Sequence, residues 1–264
     1  MLDIDPESTV SITDQGVSVF TYNYGDSLFY PYFHPVYASN GELMTHKVED
    51  SEQKYSSGLC FSLGTVLDVN KNLVEFTKFT SSIDRTHTDL SNVKDILEFT
   101  DTIVWQAKEV NLFQTSNINI YPLQDDVRII DLSFEISTDS ETLSFDNGLG
   151  LNYNAVEMEH RKSVDSEGRI GEAEVNGKEA EWGAFSGITN DTAVGCAIIP
   201  DSSNGKTIFY SLDTQRGYIS AQYSPLTLNP DEIQEFKFRL LVYLGDLFTF
   251  DVQEHYKQYN NKTE

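Results

Sequence analysis

Between Val127 and Ser137 apolar and polar residues alternate one by one. Ile130, Leu132, Phe134 and Ile136 fall on one side; Asp131, Ser133, Glu135 and Ser137 fall on the other. A period of two is the repeat of a β-strand with one buried face. Phe236 to Tyr243 has the same pattern, with Phe236, Phe238, Leu240 and Val242 opposite Lys237 and Arg239.

Shorter strand-like runs fill the rest. Thr9 to Thr13 and Val17 to Tyr22 flank a Gln15-Gly16 turn and read as an opening hairpin. Further runs are Phe29 to Phe33, Leu43 to His46, Leu59 to Leu63, Leu73 to Phe79, Thr102 to Val110, Asn117 to Tyr121 and Leu149 to Tyr153. Val194 to Ile199, Thr207 to Leu212 and Tyr218 to Gln222 complete the set. Asn-Gly occurs at 40–41, 147–148, 176–177 and 204–205. That dipeptide is the strongest short-range hairpin signal, because both residues tolerate positive φ. Glu49 to Ser57 reads as a polar loop, and Asp84 to Asp95 as polar chain with a helical turn after Asp89. Helical spacing is confined to Leu247 to Tyr259, where Asp246 is placed to cap the start.

The expectation is therefore all-β: one large antiparallel β-sandwich over residues 1–264, with a short C-terminal helix. The mutarotase-like supersandwich is the large version of that architecture. A chain of 264 residues fits a single β domain and can bury a core without staples. The 12% aromatic content suits sheets.

Charge narrows the partners. With 42 acidic and 18 basic residues the net charge is -24. Such a surface repels phosphate backbones and anionic lipid, so neither nucleic acid nor membrane is expected. No apolar run reaches the length of a membrane span. The start, Met-Leu-Asp-Ile-Asp-Pro-Glu, lacks the basic and apolar regions of a secretory signal, and a cytoplasmic location is expected. Cys60 and Cys196 both sit in apolar runs and read as buried thiols.

Catalytic motifs are missing. There is no GxSxG, no HExxH, no Gly-rich phosphate loop and no CxxC, and no cofactor is implied. His34 and His46 are the two histidines close in sequence; with Glu49 or Asp50 they could form a metal site.

The stretch from Asp146 to Gly187 reads as a long polar excursion between two strands. Excursions of that length inside a domain are usually functional or disordered, and Trp182 argues for order. It holds Glu172, Lys178 and Trp182. An aromatic ring beside carboxylates and a lysine suits a sugar, whose C–H face stacks on the ring. Trp105 has a core reading and a ligand reading. Arg216 precedes Gly217, which permits close ligand approach. Lys178, Ala180 and Trp182 share a strand face by period two, which places Trp182 at the rim of the main concave face.

Several motifs together resemble one family. Phe29-Tyr-Pro-Tyr-Phe-His-Pro-Val with Asn40-Gly41-Glu, Ser57-Gly-Leu-Cys-Phe-Ser62 and Gly168 to Trp182 carry the likeness. Arg216-Gly-Tyr218 and Phe238 to Asp246 fit its ending. These resemble the PmoA-like family. The resemblance implies an all-β domain of uncharacterised function in carbohydrate-related settings. That family has a His-rich run before its Gly-Leu strand; here the place reads Asp50-Ser-Glu-Gln-Lys-Tyr-Ser56. His34, Lys178, Trp182 and Arg216 are the site candidates it leaves.

The leading expectation is a domain that binds or modifies a neutral sugar or glycoside, with His34, Trp105, Glu172, Lys178, Trp182 and Arg216 as ligand residues. One alternative is a non-catalytic interaction module that has lost the His-rich site. Another is a metal-dependent enzyme using His34 and His46.

Overall fold

The two alternating stretches become strands that pair with each other. Val127–Thr138 and Ile233–Leu244 run antiparallel, with Leu132 opposite Phe238 and Phe134 opposite Phe236. Side chains directly opposite share a face, so both apolar rows enter one core. They are the centre of an eight-stranded sheet in this computed structural model, which describes residues 1–5, 8–25, 27–47, 57–84, 96–108, 110–213, 216–223 and 225–261, with only the backbone at Arg216. The strand order is Glu159–Asp165, Gly183–Thr189, Thr192–Pro200, Ile233–Leu244, Val127–Thr138, Val110–Ile120, Leu97–Ala107, Lys78–Asp84.

A nine-stranded sheet faces it. Its order is Leu2–Asp5, Thr9–Asp14, Val17–Asn23, Tyr32–Val36, Leu59–Leu63, Leu149–Glu157, Arg216–Tyr223, Ile208–Leu212, Lys178–Glu179. Leu149, Leu151 and Tyr153 lie opposite Tyr223, Ala221 and Ile219, and all six are buried in the shared core. Across the two sheets the Phe61 and Phe134 rings stack at 4.3 Å. Aromatic pairs of this kind add to the gain from burial alone. The chain is thus a large antiparallel β-sandwich.

The C-terminal helix, Val252–Asn260, lies outside this core. Val252 and Tyr259 pack with Val127, Ile129, Ala197, Leu241 and Tyr243 in a second apolar cluster. Those sheet residues alternate with the inner rows, so the helix covers the outer face of the eight-stranded sheet. Asp251 caps it, its carboxylate accepting the Glu254 N–H at 3.0 Å. Asp246, the expected cap, instead closes the preceding turn by accepting the N–H groups of Phe248 and Thr249.

Other elements depart from the sequence reading. Thr102 to Val110 is not one strand: the chain turns at Lys108 and pairs Ala107 with Val110. The strand expected at Leu73 to Phe79 runs instead from Lys78 to Asp84. Much of the Asp146 to Gly187 excursion is strand, Leu149–Glu157 and Glu159–Asp165, because alternation continues through its charged residues. The polar stretch at 49–56 and the helical turn expected after Asp89 lie outside the described residues.

Candidate functional site

The sandwich has a polar outer face that the alternation of its strands dictates. Leu151 and Tyr153 point inward, so Asn152 points outward. Ile219 and Ala221 likewise point inward, and Tyr218, Ser220 and Gln222 turn out beside Asn152. The carboxamide oxygen of Asn152 accepts the Ser220 hydroxyl at 2.6 Å and the Tyr218 hydroxyl at 3.1 Å. Gln222 Nε2 donates to the Tyr218 hydroxyl oxygen at 3.3 Å. These donations run one way, from Gln222 through Tyr218 to Asn152. Burial pushes the Tyr218 hydroxyl above its usual pKa, so it stays a donor at neutral pH. On the neighbouring strand the Cys60 thiol is also pushed up by burial, with the Asn152 carboxamide acting the other way.

His34 stands further along the same sheet. Phe33 enters the core, and His34 turns to the opposite side. Its Nδ1 lies 3.0 Å from the Thr45 hydroxyl, and Thr45 is bridged to Ala155 on the strand that carries Asn152. Asn23 holds the backbone there, its carboxamide donating to the carbonyls of His34 and Tyr32. Gly58 brings the next strand close: it sits at φ +59, and a Cβ would strike the Phe33 carbonyl oxygen. Burial first, then the charges of Lys47 and His46, lowers the His34 pKa from 6.5 to about 4. The ring is therefore neutral at pH 7.

His34, Asn152, Tyr218, Ser220 and Gln222 carry no formal charge at neutral pH. Asn152 and Ser220 are buried, 5% and 0% exposed, while His34, Tyr218 and Gln222 are half-buried and form the accessible part of the set. Among the described residues no group of three or more His, Cys, Asp or Glu is arranged to hold a metal ion. His46 lies close enough to act on His34, whereas Glu49 and Asp50 lie outside the described residues.

Trp105, Trp182, Lys178 and Glu172, the other expected site residues with described side chains, do not gather here. Trp105 is buried in the main core, 2% exposed, and its indole N–H donates to Gln114 at 3.0 Å. Trp182 is 9% exposed and sits in the second cluster under the C-terminal helix, not at a concave rim. The strand expected to carry Lys178, Ala180 and Trp182 on one face is just Lys178–Glu179, and the chain leaves it before Trp182. Lys178 is exposed on that edge strand, opposite Phe209. Glu172 opens the short helix Glu172–Val175 and exchanges hydrogen bonds with Asp213, 2.8 and 3.0 Å. That pair fastens the helix to the neighbouring strand end. The Arg216 backbone pairs with Glu157 in the nine-stranded sheet, on the strand that continues to Tyr218.

A separate groove of about 410 Å³ opens beside Glu179 and Glu181, with Asp201, Lys206 and Tyr256 in its wall. The aromatic group among these carboxylates is Tyr256, whose hydroxyl pKa is raised by burial and by Glu181. Lys206 pairs with Glu179 at 3.0 Å across exposed surface, which is worth little in water.

Sequence reasoning missed Asn152, Tyr218, Ser220 and Gln222. The signal was present in Tyr218-Ile-Ser-Ala-Gln222, where polar residues alternate with Ile and Ala. The partnership with Asn152 depends on strand register and is not written in either segment.

Nine and eight antiparallel strands stacked face to face place the chain among the large β-sandwiches. It belongs to a family of unknown function, DUF6807, whose profile matches residues 9–257. This corrects the PmoA-like resemblance: the family matched along nearly the whole chain is a different one. The motifs behind that resemblance are short and scattered, whereas the matched profile runs over residues 9–257.

Two solved structures share the fold, and a third aligns more loosely. Slr1438 from Synechocystis sp. PCC 6803 aligns at 9% identity over 93% of this chain and 100% of that one, with a TM-score of 0.51. A heparan sulfate lyase HepC mutant from Pedobacter heparinus aligns at 8% identity over 93% of this chain, TM-score 0.51. The chain spans 37% of that lyase. A galactose mutarotase-like protein from Clostridium acetobutylicum aligns at 9% identity over 94% of this chain and 98% of that one, TM-score 0.47. A search of the curated proteins finds no match. No helix among the described residues is long and apolar enough to cross a membrane.

Proposed function

We propose that this chain binds a neutral sugar or glycoside on the outer face of its nine-stranded sheet. The observation that carries the reading is a linked, uncharged set in which half-buried Tyr218 and Gln222 are backed by buried Asn152 and Ser220, with half-buried His34 further along the sheet. Sugar hydroxyls need both donors and acceptors, and amides, hydroxyls and a neutral imidazole supply both without charge. The net charge of -24 disfavours a polyanionic ligand by long-range repulsion. Glycoside hydrolysis needs two carboxylates across the scissile bond. The five face residues include none, so the reading is binding rather than hydrolysis. The lyase neighbour acts on a carbohydrate by its name, but heparan sulfate is anionic, so it supports a carbohydrate setting and not the neutral-ligand part of the reading.

Thermal denaturation across a panel of neutral and anionic mono- and disaccharides tests this. A ligand at a hundredfold excess over its Kd adds about 2.7 kcal/mol of stability. A neutral sugar should raise Tm in the wild type and raise it less in Tyr218→Phe and Gln222→Ala. A response confined to anionic sugars, or no response to any member, overturns the proposal.

A further inference from the structure

Thr45 is fully buried and has a single hydroxyl proton to place. Its oxygen already accepts the Val36 backbone N–H at 3.0 Å. Its other hydrogen-bond partner among the described residues is His34 Nδ1, also at 3.0 Å. If Nδ1 carried the ring proton, the Thr45 oxygen would accept twice and its own proton would be buried with no acceptor. Buried polar groups in folded proteins are rarely left in that state. If Thr45 donates instead, every group is satisfied, and the proton of the neutral ring sits on Nε2.

We propose that Thr45 fixes His34 as the Nε2–H tautomer, so that His34 offers the polar face an uncharged hydrogen-bond donor. Nε2 is on the side of the imidazole away from Nδ1, and it takes no partner among the described residues. The ring is half-buried, so this nitrogen is available to a ligand. Asn23 fixes the backbone at His34, and the bridge to Ala155 fixes Thr45. The lowered pKa keeps the ring neutral, consistent with a donor that carries no charge. The fitting ligand group is a hydroxyl, ether or carbonyl oxygen rather than a carboxylate or phosphate, which a charged donor would favour. Thr45 is a positioning residue in this scheme. The role toward a ligand rests on the sugar-binding reading above; the tautomer does not.

Long-range proton–nitrogen NMR on the uniformly nitrogen-15-labelled full chain at neutral pH reads the tautomer directly and needs no ligand. His34→Gln identifies the His34 signals by their loss. The expected pattern has His34 Nε2 protonated and Nδ1 bare in the wild type. Thr45→Val should lose that bias, and Thr45→Ser should keep it. A wild-type ring protonated on Nδ1, or averaged between tautomers, overturns the proposal. So does a Thr45→Val spectrum unchanged from wild type. If Thr45→Val fails to fold, the wild-type and Thr45→Ser spectra still decide it. A sugar panel that gives no response would sink the ligand role and leave the tautomer standing.

Discussion

The Trp182 indole N–H donates to the Gln253 side-chain oxygen at 2.7 Å, joining the second edge of the long polar excursion to the C-terminal helix. The ring packs with Ala184, Ile199 and Tyr259 beneath that helix. Trp182→Ala should therefore cost about 3–5 kcal/mol, the range for truncating a buried Trp. Gln253→Ala removes the acceptor while the ring still packs, and should cost about 1 kcal/mol. Urea denaturation of both variants checks this. A Trp182→Ala loss below that of Gln253→Ala would mean that the ring contributes no packing.

Trp182 also shows where local reading stops. Its neighbours Glu181 and Gly183 suggest exposure, yet the ring is covered by a helix 71 positions further on. No local pattern encodes that contact. Ile130 to Ile136 and Phe236 to Val242 were legible because period two reports burial within a strand, whatever its partner. The turn at Lys108 was hidden because Lys108-Glu109 contains no Gly, Pro, Asn or Asp to mark it. Within the candidate site, His34 stood out by residue type. Asn152 and Thr45 did not, since their roles come from strand register and from a backbone N–H that side-chain spacing cannot show.

Arg239 and Asp131 form a two-contact ion pair on the outer face of the eight-stranded sheet. Two parallel contacts of 2.7 and 2.8 Å join them, and the guanidinium lies between the Tyr121 and Tyr259 rings. Both side chains are mostly buried, 9% and 13% exposed. Removing one partner leaves the other charge stranded, so Asp131→Ala or Arg239→Ala should cost about 3–5 kcal/mol. Arg239→Lys should recover part of this at most, because an ammonium lacks the planar fork. Chemical denaturation of the three variants reads the order. Full recovery by lysine would contradict the bidentate geometry.

Gly195 lies against the ring of Tyr243. A Cβ there would sit 2.5 Å from the Tyr243 hydroxyl oxygen, and the ring is itself stacked on Phe250 at 3.8 Å. Tyr243 is fully buried, so its ring can move aside only by displacing packed neighbours. Gly195→Ala should destabilise by about 1–3 kcal/mol through overpacking. The loss should shrink in a Tyr243→Ala background, because the obstacle is gone. A double-mutant cycle on thermal or urea unfolding measures the coupling. Additive losses would place the cost in the backbone rather than in the contact.

His34 links the candidate site to stability at acid pH. Its folded pKa is about 4, below the ordinary 6.5, because burial and the nearby charges of Lys47 and His46 oppose a second proton. In the unfolded chain the ring takes its proton near 6.5. Between those values the unfolded state binds more protons, so stability falls as pH drops from about 6.5 toward 4. Above 6.5 both states are neutral there and the effect is absent. His34→Gln cannot take the proton in either state, so it should lose less stability than wild type across that window. Other histidines and the carboxylates titrate in both proteins, and the difference between the two curves isolates His34. The measurement is the urea midpoint of each protein at pH 7, 6, 5 and 4. Parallel curves would mean that His34 titrates in the fold as it does in water, and that the site does not hold the ring neutral.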